Sequence, residues 1–211
     1  MVNLMIEQGT IEWRMLRLGK ISGSRISDVM AKGRDNKPSV TRENYMYELA
    51  TERLTNIPTE SYTSPAMSWG TENEGMARTA YEVFKGVFVS EVPWISHPSI
   101  ANAGCSPDGL IDDGLGCVEL KCPNTKTHIE YILKGEPAKT YHNQMMWQMA
   151  CTGRSYVDFV SYDPRLPVDL ELFVARLERD EEYIQLITDE VIKFDNEVTQ
   201  LVNKLKEIRN V

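Results

Sequence analysis

The chain has no basic excess, few histidines, no C-x-x-C cysteine pair and no long apolar run. Lys and Arg number 23 against 31 Asp and Glu, a net charge of −8 over 211 residues. That balance argues against nonspecific coating of nucleic acid, which needs a basic surface. It leaves room for a nuclease, because acids gathered around metal ions are neutralised by them and a basic groove can coexist with an acidic exterior. No apolar stretch approaches the roughly 20 residues that cross a bilayer. Residues 1–7 lack the basic and longer apolar regions of a signal peptide, so a cytoplasmic location is expected. Cys105, Cys117, Cys122 and Cys151 form no C-x-x-C pair. Reduced, buried thiols are expected, with a four-cysteine iron–sulfur cluster as the sharper alternative. His97, His128 and His142 have no ligand-like spacing. Without repeats or a long linker, residues 1–211 are expected to form one domain with its own core.

What is present is an ordered run of helical and extended patterns. Residues 7–31 read as helical with a break at Gly19, and Ser22 or Ser24 is a candidate N-cap for the helical stretch after it. Loops are expected at 33–40 and 55–66, around a helix over 42–54. A helix over 68–85 stops at Gly86. Three extended stretches, 87–95, 101–111 and 116–122, suggest a meander, the last two joined by a turn on Asp112-Asp113-Gly114. Helices are expected at 126–134 and 140–152, and strands at 156–162 and 170–177. From Ile184 to Ile208 apolar residues recur at steps of three and four, so residues 180–211 read as one amphipathic helix. Its seam packs on the parent domain or on a partner. The order of elements describes an α/β domain with a central mixed sheet flanked by helices.

The chemistry concentrates where Pro107-Asp108 precedes Glu119-Leu120-Lys121 by eleven residues. Side chains alternate along a strand, so Glu119 and Lys121 face one way while Val118, Leu120 and Cys122 face the other. This pattern suggests a half-buried strand with an active front. Pro107 interrupts the sheet ladder, and Gly109 allows an unusual backbone angle beside the acid. Asp108, Glu119 and the Leu120 carbonyl form an oxygen-rich set suited to Mg²⁺ or Mn²⁺. Lys121 is a candidate to orient water, stabilise charge on phosphorus or, made neutral by a nearby cation, act as base. Glu74 is a third acid within reach from a helix, and Tyr141 and Gln144 share a helical face. The residues by themselves leave two readings: a metal-dependent phosphodiesterase, or a structural salt bridge between Lys121 and Glu119 or a neighbouring acid.

Ser106-Pro107-Asp108-Gly109-Leu110 followed by Glu119-Leu120-Lys121-Cys122-Pro123 resembles the PD-(D/E)XK nuclease superfamily, with its restriction-endonuclease-like core. More closely it resembles the bacteriophage lambda exonuclease family, also called YqaJ-like viral recombinases or alkaline exonucleases. Trp13-x-x-x-Arg17-Leu18-Gly19 with Ser22-x-Ser24, Trp69-Gly70 with Glu74, Tyr141-x-x-Gln144 and Tyr162-Asp163-Pro164-Arg165 extend the resemblance over roughly residues 7–190. The resemblance implies a processive 5′→3′ exonuclease on double-stranded DNA ends that releases mononucleotides and leaves a 3′ tail for strand annealing. It implies two Mg²⁺ ions, replaceable by Mn²⁺, on Asp108, Glu119 and the Leu120 carbonyl, with Glu74 helping directly or through water. Lys121 activates the nucleophile and Gln144 positions it. Arg17, Ser24 and Ser106 form a pocket for the 5′ phosphate, where a guanidinium fork suits the anion. Trp13 and Tyr141 lie against the DNA. The resemblance further implies a homotrimeric ring, a single-strand annealing partner and a phage or prophage source. The competing readings are an endonuclease on the same fold and a catalytically silent DNA-end-binding scaffold.

Overall fold

Among the residues described, strands gather into two sheets. The computed structural model describes residues 6–34, 39–59 and 64–209. Residues 35–38 of the first expected loop, 60–63 of the second and 210–211 of the C-terminal helix lie outside the described residues. In chain order the elements are α1 (Ile11–Arg17), β1 (Ile21–Ser22), α2 (Ile26–Val29), α3 (Val40–Thr55), α4 (Pro65–Lys85), β2 (Val89–Ser90), β3 (Ile95–Ser96), β4 (Ala103–Cys105), β5 (Gly109–Ile111), β6 (Gly116–Lys121), α5 (Thr125–Lys134), α6 (His142–Thr152), β7 (Tyr156–Tyr162), β8 (Leu172–Glu178) and α7 (Glu181–Arg209).

The main sheet runs β2-β5-β6-β7-β8, with β6 and β7 parallel and the other neighbours antiparallel. A smaller sheet, β1-β4-β3, stands apart. The expected meander is therefore corrected. The 87–95 and 101–111 stretches each divide between the two sheets, because Pro93 and Pro107 interrupt their ladders. The segment expected to be helical up to residue 31 also contains β1, and Ser22 precedes a 3₁₀ turn over Gly23–Arg25 with no side-chain cap.

Period-two alternation distributes β6 between two cores. Val118, Leu120 and Cys122 join Ala77 and Tyr81 of α4. Cys117 joins Met145, Trp147 and Met149 of α6 and the α7 seam. The strand is thus covered on both faces and not half-buried: Glu119 is 0 % exposed. Helix α6 explains this, since Met145 to Cys151 are all buried, and such a helix belongs between layers.

In α7, Ile184, Ile187, Val191, Phe194 and Val198 are buried, and the Phe194 ring stacks on Tyr45 of α3 at 5.5 Å. Arg53 and Asp195 tie the pair at 2.6 Å. Over most of its length the seam packs on the parent domain, while Leu205 and Ile208 are exposed. No helix among the described residues is long and apolar enough to cross a membrane. All four cysteines are free and buried. Among the described residues no three His, Cys, Asp or Glu side chains cluster as a metal site.

Candidate active site

The β4–β5 break delivers Asp108 to the edge of β6. There Asp108 Oδ2 accepts the Leu120 N–H at 2.7 Å. Gly109 follows the acid for reasons of space. Its φ is not positive, so the expected unusual backbone angle is absent. A Cβ at this position would lie 2.0 Å from Val89 Cγ1 and 3.1 Å from Val118 Cγ1. Glycine lets β2 and β6 close around β5 and brings Asp108 beside Glu119.

Glu119 is buried and fully engaged. Gln144 Nε2 donates to its Oε1 at 2.7 Å, and Gln148 Nε2 donates to its Oε2 at 2.5 Å. Lys121 Nζ forms an ion pair with Oε1, lies 3.6 Å from Asp108 Oδ2 and donates to the Leu120 carbonyl at 3.0 Å. The ammonium therefore sits among the three oxygens that the sequence offers to a cation. Two carboxylates and a carbonyl are hard oxygen donors of the kind Mg²⁺ takes, and they already converge on one positive charge. The residues fit such an ion.

Burial, and then the charge of Asp108, push Glu119 up to about 7. The same two causes raise Glu74 to about 7. Burial works against the Lys121 ammonium, but Glu119 and Asp108 outweigh it and hold the lysine above its ordinary value. With these anions as its neighbours Lys121 is a cation. The neutral base expected from the sequence requires the carboxylates to be satisfied by another cation.

Glu74, on α4, lies near enough for the charges of Asp108 and Lys121 to act on it. Its Oε1, however, is held at 3.2 Å by Arg78, which also pairs with Glu91, and it lines a neighbouring cavity with Gln8 and Glu91. Tyr141 lies at the start of α6, its ring 5.4 Å from Phe159 and 5.5 Å from Lys121 Nζ.

A cavity of about 310 Å³ links Asp108, Lys121, Gln144 and Gln148 to Trp13, Arg17, Ser24 and Ser106. Arg17 lies 3.9 Å above the Trp13 ring. Burial lowers its basicity, yet a guanidinium stays charged. The Trp13 indole N–H donates to Pro93 O at 2.8 Å and to Ser106 Oγ at 3.1 Å, while Ser106 donates to Pro93 O at 2.6 Å. Ser106 thereby anchors the tryptophan, and its proton must turn to meet a phosphate. Ser24 Oγ lies 3.5 Å from Ser22 Oγ.

Two residues that the sequence did not single out join the site. Gln148 holds Glu119 one helical turn beyond Gln144; the i, i+4 spacing from that glutamine was the available signal. Gln8 lines the cavity and ties Val92 O and Pro107 O at 2.9 and 3.0 Å, a role with no local sequence signal.

Residues 12–155 match the model of the YqaJ-like viral recombinase domain. The chain belongs to this family. This YqaJ-like chain is 47% identical to an alkaline exonuclease, LHK-Exo, from Laribacter hongkongensis, with a TM-score of 0.88 over 95% of this chain and 98% of that one. The same enzyme in complex with dAMP matches with the same values. A phage related exonuclease from Haemophilus somnus 129PT is 16% identical, with a TM-score of 0.72 over 88% of this chain and 96% of that one, and shares the fold. None of the curated proteins compared with the YqaJ-like chain matches it. Its mixed sheet flanked by helices is the α/β, restriction-endonuclease-like PD-(D/E)XK core.

Proposed function

We propose that this YqaJ-like protein is a DNA exonuclease, and more finely a Mg²⁺-dependent, processive 5′→3′ exonuclease on linear duplex that releases 5′-mononucleotides and leaves a 3′ tail. One observation carries the reading: Asp108 and Lys121, the latter paired with buried Glu119, line one cavity together with Arg17, whose side chain has no hydrogen bond or ion pair among the described residues. The likeness to an alkaline exonuclease, also seen with dAMP, supports it.

Asp108, Glu119 and the Leu120 carbonyl would hold Mg²⁺, with Glu74 beside them. Bound there, Mg²⁺ lowers the pKa of water and offsets charge developing on the phosphate oxygens. Gln144 and Gln148 fix both oxygens of Glu119, so the carboxylate need not reorganise during reaction. Arg17 holds the terminal 5′ phosphate, and the distance along the cavity registers the scissile bond. Trp13, pinned by Pro93 and Ser106, presents Arg17 on its face. Lys121 would orient the attacking water as an ammonium and would take its proton only after giving its own to solvent, a loss that a divalent ion on the carboxylates would favour.

The same reading includes a homotrimeric ring on the duplex, a single-strand annealing partner and a cytoplasmic site of action in a phage- or prophage-bearing cell. The test of the reaction is a time course on linear duplex labelled at either terminus, with Mg²⁺ or EDTA, beside closed circular plasmid. The 5′ label is expected to leave first as a mononucleotide, only with Mg²⁺, while the circle survives. Cutting of the circle, or earlier loss of the 3′ label, overturns the assignment.

A further inference from the structure

Behind Trp13, Arg17 and Ser24 a second cavity opens, lined also by Arg14, Lys20 and Arg25 and by the acids Glu48 and Glu52. Trp13, Arg17 and Ser24 form its common wall with the catalytic cavity. Both acids are engaged. Glu48 takes Arg25 Nη1 at 2.9 and 3.0 Å. Glu52 accepts the backbone N–H groups of Gly19 and Thr59 at 2.8 and 2.9 Å. Lys20 gives one proton to the Leu16 carbonyl at 2.9 Å and keeps two others to donate. The Arg14 and Arg17 side chains have no hydrogen bond or ion pair among the described residues. Arg25 is matched by Glu48 and also by Asp28, so Arg14, Arg17 and Lys20 are the cations of this cavity without a carboxylate partner among the described residues, in a chain whose net charge is −8. Concentrated positive charge with free donors, in a recess, selects an oxyanion.

We propose that this second cavity is a subsite for one further phosphate, next along the chain from the terminal phosphate at Arg17 and on the side away from the catalytic centre. The proposal rests on the reading of Arg17 given above. Arg17, Trp13 and Ser24 line both cavities, so a group attached to a phosphate on the free Arg17 fork and directed away from Lys121 lies toward the second one. Two DNA ends present that chemistry: a 5′ end carrying a β-phosphate, and a 5′ overhang whose upstream phosphodiester lies beyond the position at Arg17. Arg14 and Lys20 supply the donors, while Arg25, paired with Glu48 and Asp28, closes the wall of the cavity.

The test is binding, read by fluorescence anisotropy in EDTA. The probes are duplexes with blunt 5′-hydroxyl, 5′-monophosphate and 5′-triphosphate ends, and one with a monophosphorylated two-nucleotide 5′ overhang. The wild-type protein is expected to bind the triphosphate end, the overhang or both about tenfold more tightly than the blunt monophosphate, the scale of a charge-assisted hydrogen bond. Arg14→Ala and Arg14→Gln should erase that gain and keep the preference for monophosphate over hydroxyl. A gain on the triphosphate alone assigns the β-phosphate, and a gain on the overhang alone assigns the phosphodiester. No gain on either, or a gain that survives both substitutions, overturns the subsite while leaving the exonuclease reading standing. A wild-type protein indifferent to monophosphate against hydroxyl overturns the Arg17 pocket as well.

Discussion

Gln148 Nε2 donates to Glu119 Oε2 at 2.5 Å, while the amide oxygen of the same glutamine is buried without a hydrogen-bond partner. An unmatched buried carbonyl is costly, so the side chain is held here by what its nitrogen does. Gln148→Leu leaves one Glu119 oxygen buried without a donor. Groups that orient a metal ligand are worth roughly 10–100-fold in metal affinity or activity. The expected result is a loss of that size in Mn²⁺ affinity by calorimetry and in kcat, with little change in DNA-end affinity. Unchanged metal affinity would make Gln148 a packing residue only.

Lys121 occupies the point on which Asp108, Glu119 and the Leu120 carbonyl converge. Its ammonium and a divalent ion compete for the same oxygens. Lys121→Ala is therefore expected to lower cleavage by at least about 100-fold, retain binding to DNA ends, and bind Mn²⁺ more tightly than the wild type. Weaker Mn²⁺ binding in the folded variant would show that the lysine supports the metal ligands and does not compete with them.

Arg17 stacks on Trp13 with its fork free. Arg17→Ala should slow digestion of 5′-phosphorylated ends by about tenfold or more, the worth of a charged hydrogen bond or two, and leave 5′-hydroxyl ends nearly unaffected. Equal losses on both ends, in parallel time courses, would remove Arg17 from the phosphate pocket.

Asp108, Glu119 and Lys121 were legible because a strand alternates with period two and because charges among Val118, Leu120 and Cys122 need a reason to be there. The helices were legible from stop signals such as Gly86, whose φ is 68°. Gln148 was overlooked because Trp147 and Met149 mark that stretch as core, which masked the i, i+4 spacing that sets it on the face of Gln144. Strand β1 was hidden because two residues, paired at Ile21–Ala103 and Ser22–Gly104, are too short to show periodicity. Coverage of β6 on both faces depends on α6, more than 20 residues away in the chain, and local alternation carries no trace of it.

Space, and not a backbone angle, requires glycine at position 109. A Cβ there would strike Val89 Cγ1 at 2.0 Å, with Val118 also close. Gly109→Ala must push β2 or β6 away and shift the adjacent Asp108. Overpacking of this kind costs about 1–3 kcal/mol, so urea unfolding should show a loss of that size, with reduced cleavage at saturating Mg²⁺. An unchanged urea midpoint and unchanged cleavage in Gly109→Ala would show that the space beside Val89 is not what position 109 requires.

The two raised carboxyls set the pH response. Glu119 and Glu74 stand near 7 in the folded chain, each from burial first and Asp108 second, against about 4.3 for an unfolded glutamate. Between these values the folded state holds more protons than the unfolded one, so stability contributed by these groups is present at low pH and lost as pH rises through about 7. In EDTA, the difference in Tm between Glu119→Gln, which carries no such charge, and the wild type should therefore grow from pH 5 to pH 8 in favour of the variant. Metal binding has the opposite dependence, because below about 7 a divalent ion must displace protons from the carboxyls. Its affinity should fall by up to about tenfold per pH unit for each proton displaced, which places efficient cleavage on the alkaline side. Wild-type metal affinity that is flat from pH 5.5 to 8, measured by calorimetry in two buffers of different ionisation enthalpy with no proton release, would show that these carboxyls are not the cation's ligands.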